Sequence, residues 1–166
     1  MKAIAERYAN SVGSSNLMDD EMHHQTDILA SVSLSSKLGS LLYRVKFSGD
    51  KFSLAPLLDV WRQIVLKKAA NRSWSDLADQ VADISLWFWV DDMCQHCKGR
   101  GHIPVAGPET DGRQVLSDVP CPICKGSKKR KIVCDKAILR YVEDCVQTLE
   151  RMANEAGRLA EKKLGA

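Results

Sequence analysis

The chain has 166 residues, 45% of them hydrophobic and 27% charged. That is enough for one ordinary core, or a modest core with a small satellite module, in a globular protein. A formal net charge of +3 gives the chain as a whole no bias toward an anionic partner, and no apolar run approaches the roughly 18 residues of a membrane span.

The opening stretch, "MKAIAERYANSVG", lacks the apolar central region of a secretory signal. The expected compartment is therefore a reducing cytoplasm, where cysteine pairs bind metal or do redox chemistry more often than they form structural disulfides. Residues 1–25 are polar, poorly periodic and loop-rich. From about Asp27 to Lys46, Ile28, Val32, Leu34, Leu38, Leu41, Leu42 and Val45 fall at helical intervals. "FSGDKFS" at 47–53 reads as a turn. Pro56 suits the first turn of a second helix, "APLLDVWRQIVLKKAA", with Leu57, Leu58, Trp61, Ile64 and Val65 on one face. "NRSWS" stops that helix, and Ser75 can cap a third, "DLADQVADISLWFWVDD". Leu77, Val81, Ile84 and Phe88 then predict one buried stripe. The tryptophans at 61, 74, 87 and 89 could stack on bases, but core packing is the better reading on amphipathic helices.

Beyond a cysteine pair, residues 102–120 hold two β-like stretches around "GPETDG", a strong turn signal. The resulting hairpin would bring two cysteine pairs side by side. The last segment, Asp135 to Lys163, reads as one long helix. Ile138, Cys145, Met152 and Leu159 recur every seven positions, with Val142, Leu149 and Ala156 alongside. Such a seam can pack on the N-terminal helices or on a second copy of itself. Alanines and a cysteine make a weak dimer seam, so intramolecular packing is preferred and self-association is the alternative. The fold class is mainly α: a helical core (1–92), an inserted zinc-binding β-hairpin with a basic run (93–133), and a long C-terminal helix (134–166).

"CQHCKGRG" at 94–101 and "CPICKG" at 121–126 carry most of the functional signal. A Cys-x-x-Cys turn puts two sulfurs on one side of an ion, and two such turns complete the tetrahedron that zinc prefers. Cys94, Cys97, Cys121 and Cys124 are thus the expected ligands of one structural Zn2+. Gly99, Gly101 and Gly126 let the backbone curl closely enough for amides to reach the thiolates. Lys98, Arg100 and Lys125 would partly offset the formal −2 charge of the tetrathiolate centre. His96 and His102 could replace a ligand, but four cysteines already fill the shell. Cys134 and Cys145, without partners at ligand spacing, read as small hydrophobes. Four protein ligands leave no position for a catalytic water, and HExxH, G-x-S-x-G and phosphate-cradling glycine loops do not occur. Asp91 and Asp92 read as a helix end, not an acid–base pair. No enzymatic activity is expected.

The charge is unevenly spread. Residues 1–92 carry −2, residues 93–133 carry +5, and residues 134–166 are neutral. "KGSKKRK" at 125–131 supplies Lys125, Lys128, Lys129, Arg130 and Lys131. Held at a metal module, such a run would contact phosphates, giving salt-sensitive affinity with little sequence information. Lys136 and Arg140 lie at i, i+4 on the helix that follows, where side chains of a groove-entering helix could read base edges.

A helical segment, "CQHCKGRG", a turn-bearing insert, "CPICKG" and a basic stretch into a helix together resemble the late-gene antitermination Q proteins of lambda-like bacteriophages. The half-motifs are also similar to those of the DnaJ-type cysteine-rich module. The Q resemblance covers roughly residues 75–150. It implies a DNA-binding helix-turn-helix whose helices, 76–92 and the one from Asp135, are separated by the zinc insert. It also implies action in a bacterial host cell, with double-stranded DNA near a late promoter and paused RNA polymerase holoenzyme as partners. The polymerase would then read through pauses and terminators. Two departures stand out. Lys128 occupies the place of Gly101 in the second half-motif, so that turn could differ, and the uninterrupted C-terminal helix leaves the polymerase-contacting surface unassigned. The alternatives are a zinc-stabilised protein-binding adaptor and a DnaJ-like chaperone or redox module. The second lacks the HPD motif and two of the usual four repeats.

Overall fold

The structure is a computed structural model that describes residues 37–106 and 114–163. The expected loop-rich start, the first half of the 27–46 helix and the "GPETDG" turn lie outside those residues. Two compact units divide at Val90 and Lys136. One is helical and includes the C-terminal helix; the other, Asp91–Asp135, carries the cysteines.

In the helical unit, α1 (Lys37–Ser48) runs into the expected turn, where Gly49 takes a left-handed φ of 67°. Asp50 organises that turn. Its carboxylate accepts from the amides of Phe52 at 2.9 Å and Ser53 at 3.4 Å, and from the Ser53 hydroxyl at 2.8 Å. It also pairs with Arg44 at 2.7 Å. A short 3-10 turn, Lys51–Ser53, then enters α2 (Leu54–Ala70), with Pro56 in the first turn, where its missing N–H costs nothing. A second 3-10 turn, Ser75–Leu77, leads into α3 (Ala78–Val90). Ser75 therefore opens the 3-10 turn and does not cap the α-helix.

Helix α1 packs on α2 and on the C-terminal α4 (Lys136–Lys163), and α3 packs on α2 and α4. Leu42, Leu57, Trp61, Val65, Val81, Val142 and Leu149 are fully buried at the centre. Trp61, Trp74 and Trp89 are core residues as expected, and Trp87 alone is half exposed. The indole of Trp61 donates to Ser85 Oγ at 3.0 Å, and that hydroxyl donates to the Ala82 carbonyl, so the buried polar tip is satisfied. Lys68 and Arg72, at the end of α2, each reach Asp144 on α4 at 2.9 Å.

Two stripes differ from the sequence reading. On α3, Val81 and Phe88 are buried but Ile84 is only half so, as is Leu77 in the 3-10 turn before it; Ala78, Ala82, Ser85, Leu86 and Trp89 complete the inner face. The face is broader than a single 4-3-4 row because α3 has helices on two sides, α2 and α4. On α4 the heptad seam holds through Ile138, Val142, Cys145 and Leu149. The first column then rotates away, with Met152 half-buried and Leu159 40% exposed, while Ala156 of the second column stays buried and Ala153, Gly157 and Ala160 join it facing inward. A straight helix at 3.6 residues per turn drifts by about 20° per heptad from a seven-residue repeat, and over three heptads the column leaves the interface.

In the second unit β1 (His102–Ala106) pairs antiparallel with β2 (Gln114–Pro120), forming the expected hairpin. No helix among the described residues is long and apolar enough to cross a membrane.

Candidate metal centre

The cysteine unit is built from two equivalent halves. In each, a Cys-x-x-Cys turn is followed by Lys-Gly: Cys94 to Gly99, and Cys121 to Gly126. The amide of Arg100 donates to the Cys97 carbonyl at 3.0 Å, and the amide of Ser127 donates to the Cys124 carbonyl at 3.0 Å. Lys98 and Lys125 take left-handed φ values of 49° and 50°, and Gly99 and Gly126 take 75° and 86°. Lys128, which stands in the place of Gly101, nevertheless adopts φ 66° against 84° at the glycine. The second turn therefore keeps the left-handed backbone of the first despite its side chain.

The halves are joined as equivalents too. Cys94 N donates to Lys128 O at 2.8 Å, and Cys121 N donates to Gly101 O at 2.8 Å. The residues on either side pair in antiparallel bridges, Met93 with Lys129 and Pro120 with His102. This is a local two-fold relation, with each half supplying the edge on which the other closes.

At its centre the four cysteines are buried, and their sulfurs all lie within 4.8 Å of one another. Cys94 Sγ is 4.0 Å from Cys121 Sγ, and Cys97 Sγ is 3.7 Å from Cys124 Sγ. These separations are about twice a disulfide bond, and the cysteines are free thiols. They lie close to the edge of about 3.8 Å that a tetrahedron of sulfurs makes around an ion at 2.3 Å. The cluster can hold one metal ion. Gly101 N points at Cys97 Sγ from 3.3 Å, an amide donor of the kind that stabilises a bound thiolate. Gly101 is also tightly enclosed, since a Cβ would stand 3.1 Å from the Gly126 carbonyl oxygen and 3.1 Å from Lys128 Cγ. His96 is exposed, and neither it nor His102 belongs to the cluster.

The basic run is folded into this unit. Lys129 pairs with Asp92 at 3.0 Å. Arg130 donates from its amide to the Asp92 carbonyl at 2.9 Å and from its guanidinium to the Asp91 carbonyl. Lys125, Lys128 and Lys131 are exposed. Asp91 and Asp92 are thus the anchor of the run, a role the sequence reading missed. Aligning the two half-motifs and pairing each one's entry with the other's exit would have put 92–93 opposite 129–130. Counted over Asp91–Asp135, the net formal charge is +2, because Asp91, Asp92 and Asp135 belong to the unit.

Lys136 and Arg140 sit on the helical unit, exposed in the first turns of α4. Arg140 lies over the Tyr141 ring at 4.6 Å, and Tyr141 stacks on the buried Trp74 at 4.7 Å with rings 17° apart. Cys145 lies in the core on the inner face of α4, where burial pushes its thiol up to about 11. Cys134 is half-buried. No protein-family model, curated protein or solved structure matches this chain.

Proposed function

We propose that this protein is a transcription antitermination factor. It binds double-stranded DNA near a late promoter and modifies paused bacterial RNA polymerase, with one structural Zn2+ held by Cys94, Cys97, Cys121 and Cys124. The ion fits the donor set: four thiolates at tetrahedral separations suit zinc. When bound, it supplies structure and no chemistry, because the protein fills every coordination position. The protein is therefore not an enzyme on this reading.

The observation that carries the reading is the placement of the lysine-rich segment. Backbone bonds from Cys94 and Arg130 hold residues 128–130 against residues 92–94, so the cations stand on a frame instead of trailing from it. Ordering charges in advance lowers the entropy lost on contacting phosphates. The helices on either side of the insert, α3 and α4, pack on each other, which supports a paired-helix DNA-binding element. Lys136 and Arg140 would then face the duplex from α4, Arg140 steadied by Tyr141. The resemblance of the whole pattern over roughly residues 75–150 to the Q proteins supplies the polymerase step.

Transcription with purified polymerase from a template bearing the cognate late promoter and a downstream terminator tests this directly. Added protein should raise terminator read-through, and Lys136→Ala with Arg140→Ala should abolish the gain while metal content stays at one per chain. No read-through on any template from the same genome would overturn the reading.

A protein-binding adaptor is the second reading. Met93, Val119, Ile123 and Val133 expose 44%, 59%, 54% and 88% of their surface on the small cysteine unit. Polymerase that co-purifies equally with and without nuclease treatment would favour it.

A further inference from the structure

Among the described residues, four that are not glycine have a positive φ: Ser73, Lys98, Lys125 and Lys128. Three of the four are lysines of the cysteine unit. A left-handed backbone costs a residue with a Cβ about 1–2 kcal/mol, and glycine would remove the cost. Lysine is an unfavourable choice for these turns unless its side chain does something elsewhere. The Lys98, Lys125 and Lys128 side chains are exposed and make no ion pair among the described residues. Lys128 lays part of its stem near Gly101, so packing offers a partial reason there but none at Lys98 or Lys125.

Lys98 and Lys125 are also the equivalent residues of the two halves, each placed directly after the second cysteine of its pair with nearly the same φ. A cation repeated about a local two-fold matches a ligand whose charges are themselves repeated about dyads. The antiparallel phosphate rows of duplex DNA have that symmetry, as the two-fold operators of dimeric DNA-binding proteins show.

We propose that Lys98, Lys125 and Lys128 form one phosphate-contacting set, held by the left-handed turns around the cysteines, that grips the backbone of duplex DNA. Lys98 lies outside the basic run in sequence and is the equivalent, in the first half, of Lys125 in the run. The inference rests on the DNA-binding reading above; Lys125 and Lys128 already belong to the basic run, and it adds Lys98 and the mode of contact. Strained backbone of this kind clusters at functional sites. The turns themselves are fixed by the Arg100-to-Cys97 and Ser127-to-Cys124 bonds at 3.0 Å.

The rival role for these lysines is to offset the charge of the metal–thiolate cluster, and glycine substitution separates the two. The zinc-loaded full chain and its Lys98→Gly, Lys125→Gly, Lys128→Gly triple variant would be compared in two measurements. One is retention of zinc against a chelator. The other is anisotropy of a labelled 30-base-pair duplex between 50 and 200 mM salt. Glycine relieves the left-handed strain, so the variant should fold and keep zinc at least as well as the parent. Its duplex affinity at low salt should fall at least tenfold, and the slope of log affinity against log salt should flatten by about 2–3, at 0.9 per phosphate lost. Parental affinity and slope in the variant would overturn this inference alone. Loss of zinc in step with loss of DNA would assign the lysines to the cluster and also overturn it. Absence of duplex binding by the parent protein would remove both this inference and the DNA-binding reading. Unchanged DNA binding with lost binding to an acidic peptide would replace phosphate with a protein partner.

Discussion

The amide of Cys94 donates to the carbonyl of Lys128, and the bond has a twin in Cys121 and Gly101, each at 2.8 Å. The first cysteine of each half is thereby locked by the last residue of the other. Each half holds its own turn but closes on an edge supplied by the other, which makes the unit sensitive to changes at its crossing points.

Gly101→Ala should be the most damaging glycine substitution in the unit. It adds a Cβ 3.1 Å from the Gly126 carbonyl at φ 84°, whereas a Cβ at Gly126 meets nothing within 4 Å. Left-handed strain of about 1–2 kcal/mol applies to both, and the collision applies only at Gly101. Chelator competition should show metal affinity falling further for Gly101→Ala than for Gly126→Ala; equal losses would contradict the crossing-point geometry.

Removing the metal should unfold the cysteine unit and spare the helical one. The buried cluster of this unit consists of Cys94, Cys97, Cys121 and Cys124. Without an ion it has four thiols and almost no apolar core, the situation in which metal binding supplies the folding free energy. Chelation should abolish hydrogen-exchange protection at the amides of Cys94, Gly101, Cys121 and Arg130, with little change in far-ultraviolet helical signal. Retained protection at those amides would show that the unit folds without metal.

Thiol reactivity should sort by burial. In the metal-loaded protein at pH 8, Cys134 is the cysteine expected to label. Cys145 is fully buried with its thiol pushed up to about 11, so little thiolate forms and little reagent reaches it. Denaturation without chelator should expose Cys145. Rapid native labelling of Cys145 would mean that its face of α4 is not packed against the other helices.

The drift of the α4 seam predicts unequal costs for two leucines in similar sequence patterns. Leu149→Ala removes a fully buried side chain and should cost about 2–5 kcal/mol in denaturant unfolding. Leu159→Ala, at a position 40% exposed, should cost less than about 1 kcal/mol. Equal costs would restore the heptad seam.

Asp144 should contribute to stability above the ordinary carboxylate range and lose that contribution in acid. Desolvation raises its pKa, but the hydrogen bond and charge of Lys68, followed by Arg72, outweigh it and hold the carboxyl below 3.8. A folded pKa below the unfolded one means the contribution is complete at neutral pH and fades as pH falls from about 4 through the folded value. Asp144→Asn should lower the melting temperature at pH 7 and at low salt, with a smaller difference at pH 3. A difference that grows in acid would reverse the assignment.

Much of this was already written in the chain, because local rules act there without competition. The hairpin follows from "GPETDG" between β-like stretches, α2 from Pro56 and its apolar face, and the four-sulfur cluster from paired Cys-x-x-Cys turns. Each of these depends on neighbours a few residues away, or on a donor set that has one geometric solution. Tertiary structure decided what depends on which surfaces meet. A heptad pattern could not say that Met152 and Leu159 would stand off the interface. Nor could the α3 stripe be placed before α2 and α4 were known to flank it. The partnership of Asp91 and Asp92 with Lys129 and Arg130 joins residues 37 to 39 apart and exists only because the two halves close on each other. The left-handed turn at Lys128 has the same cause: the partner half fixes the backbone, and the side chain tolerates it.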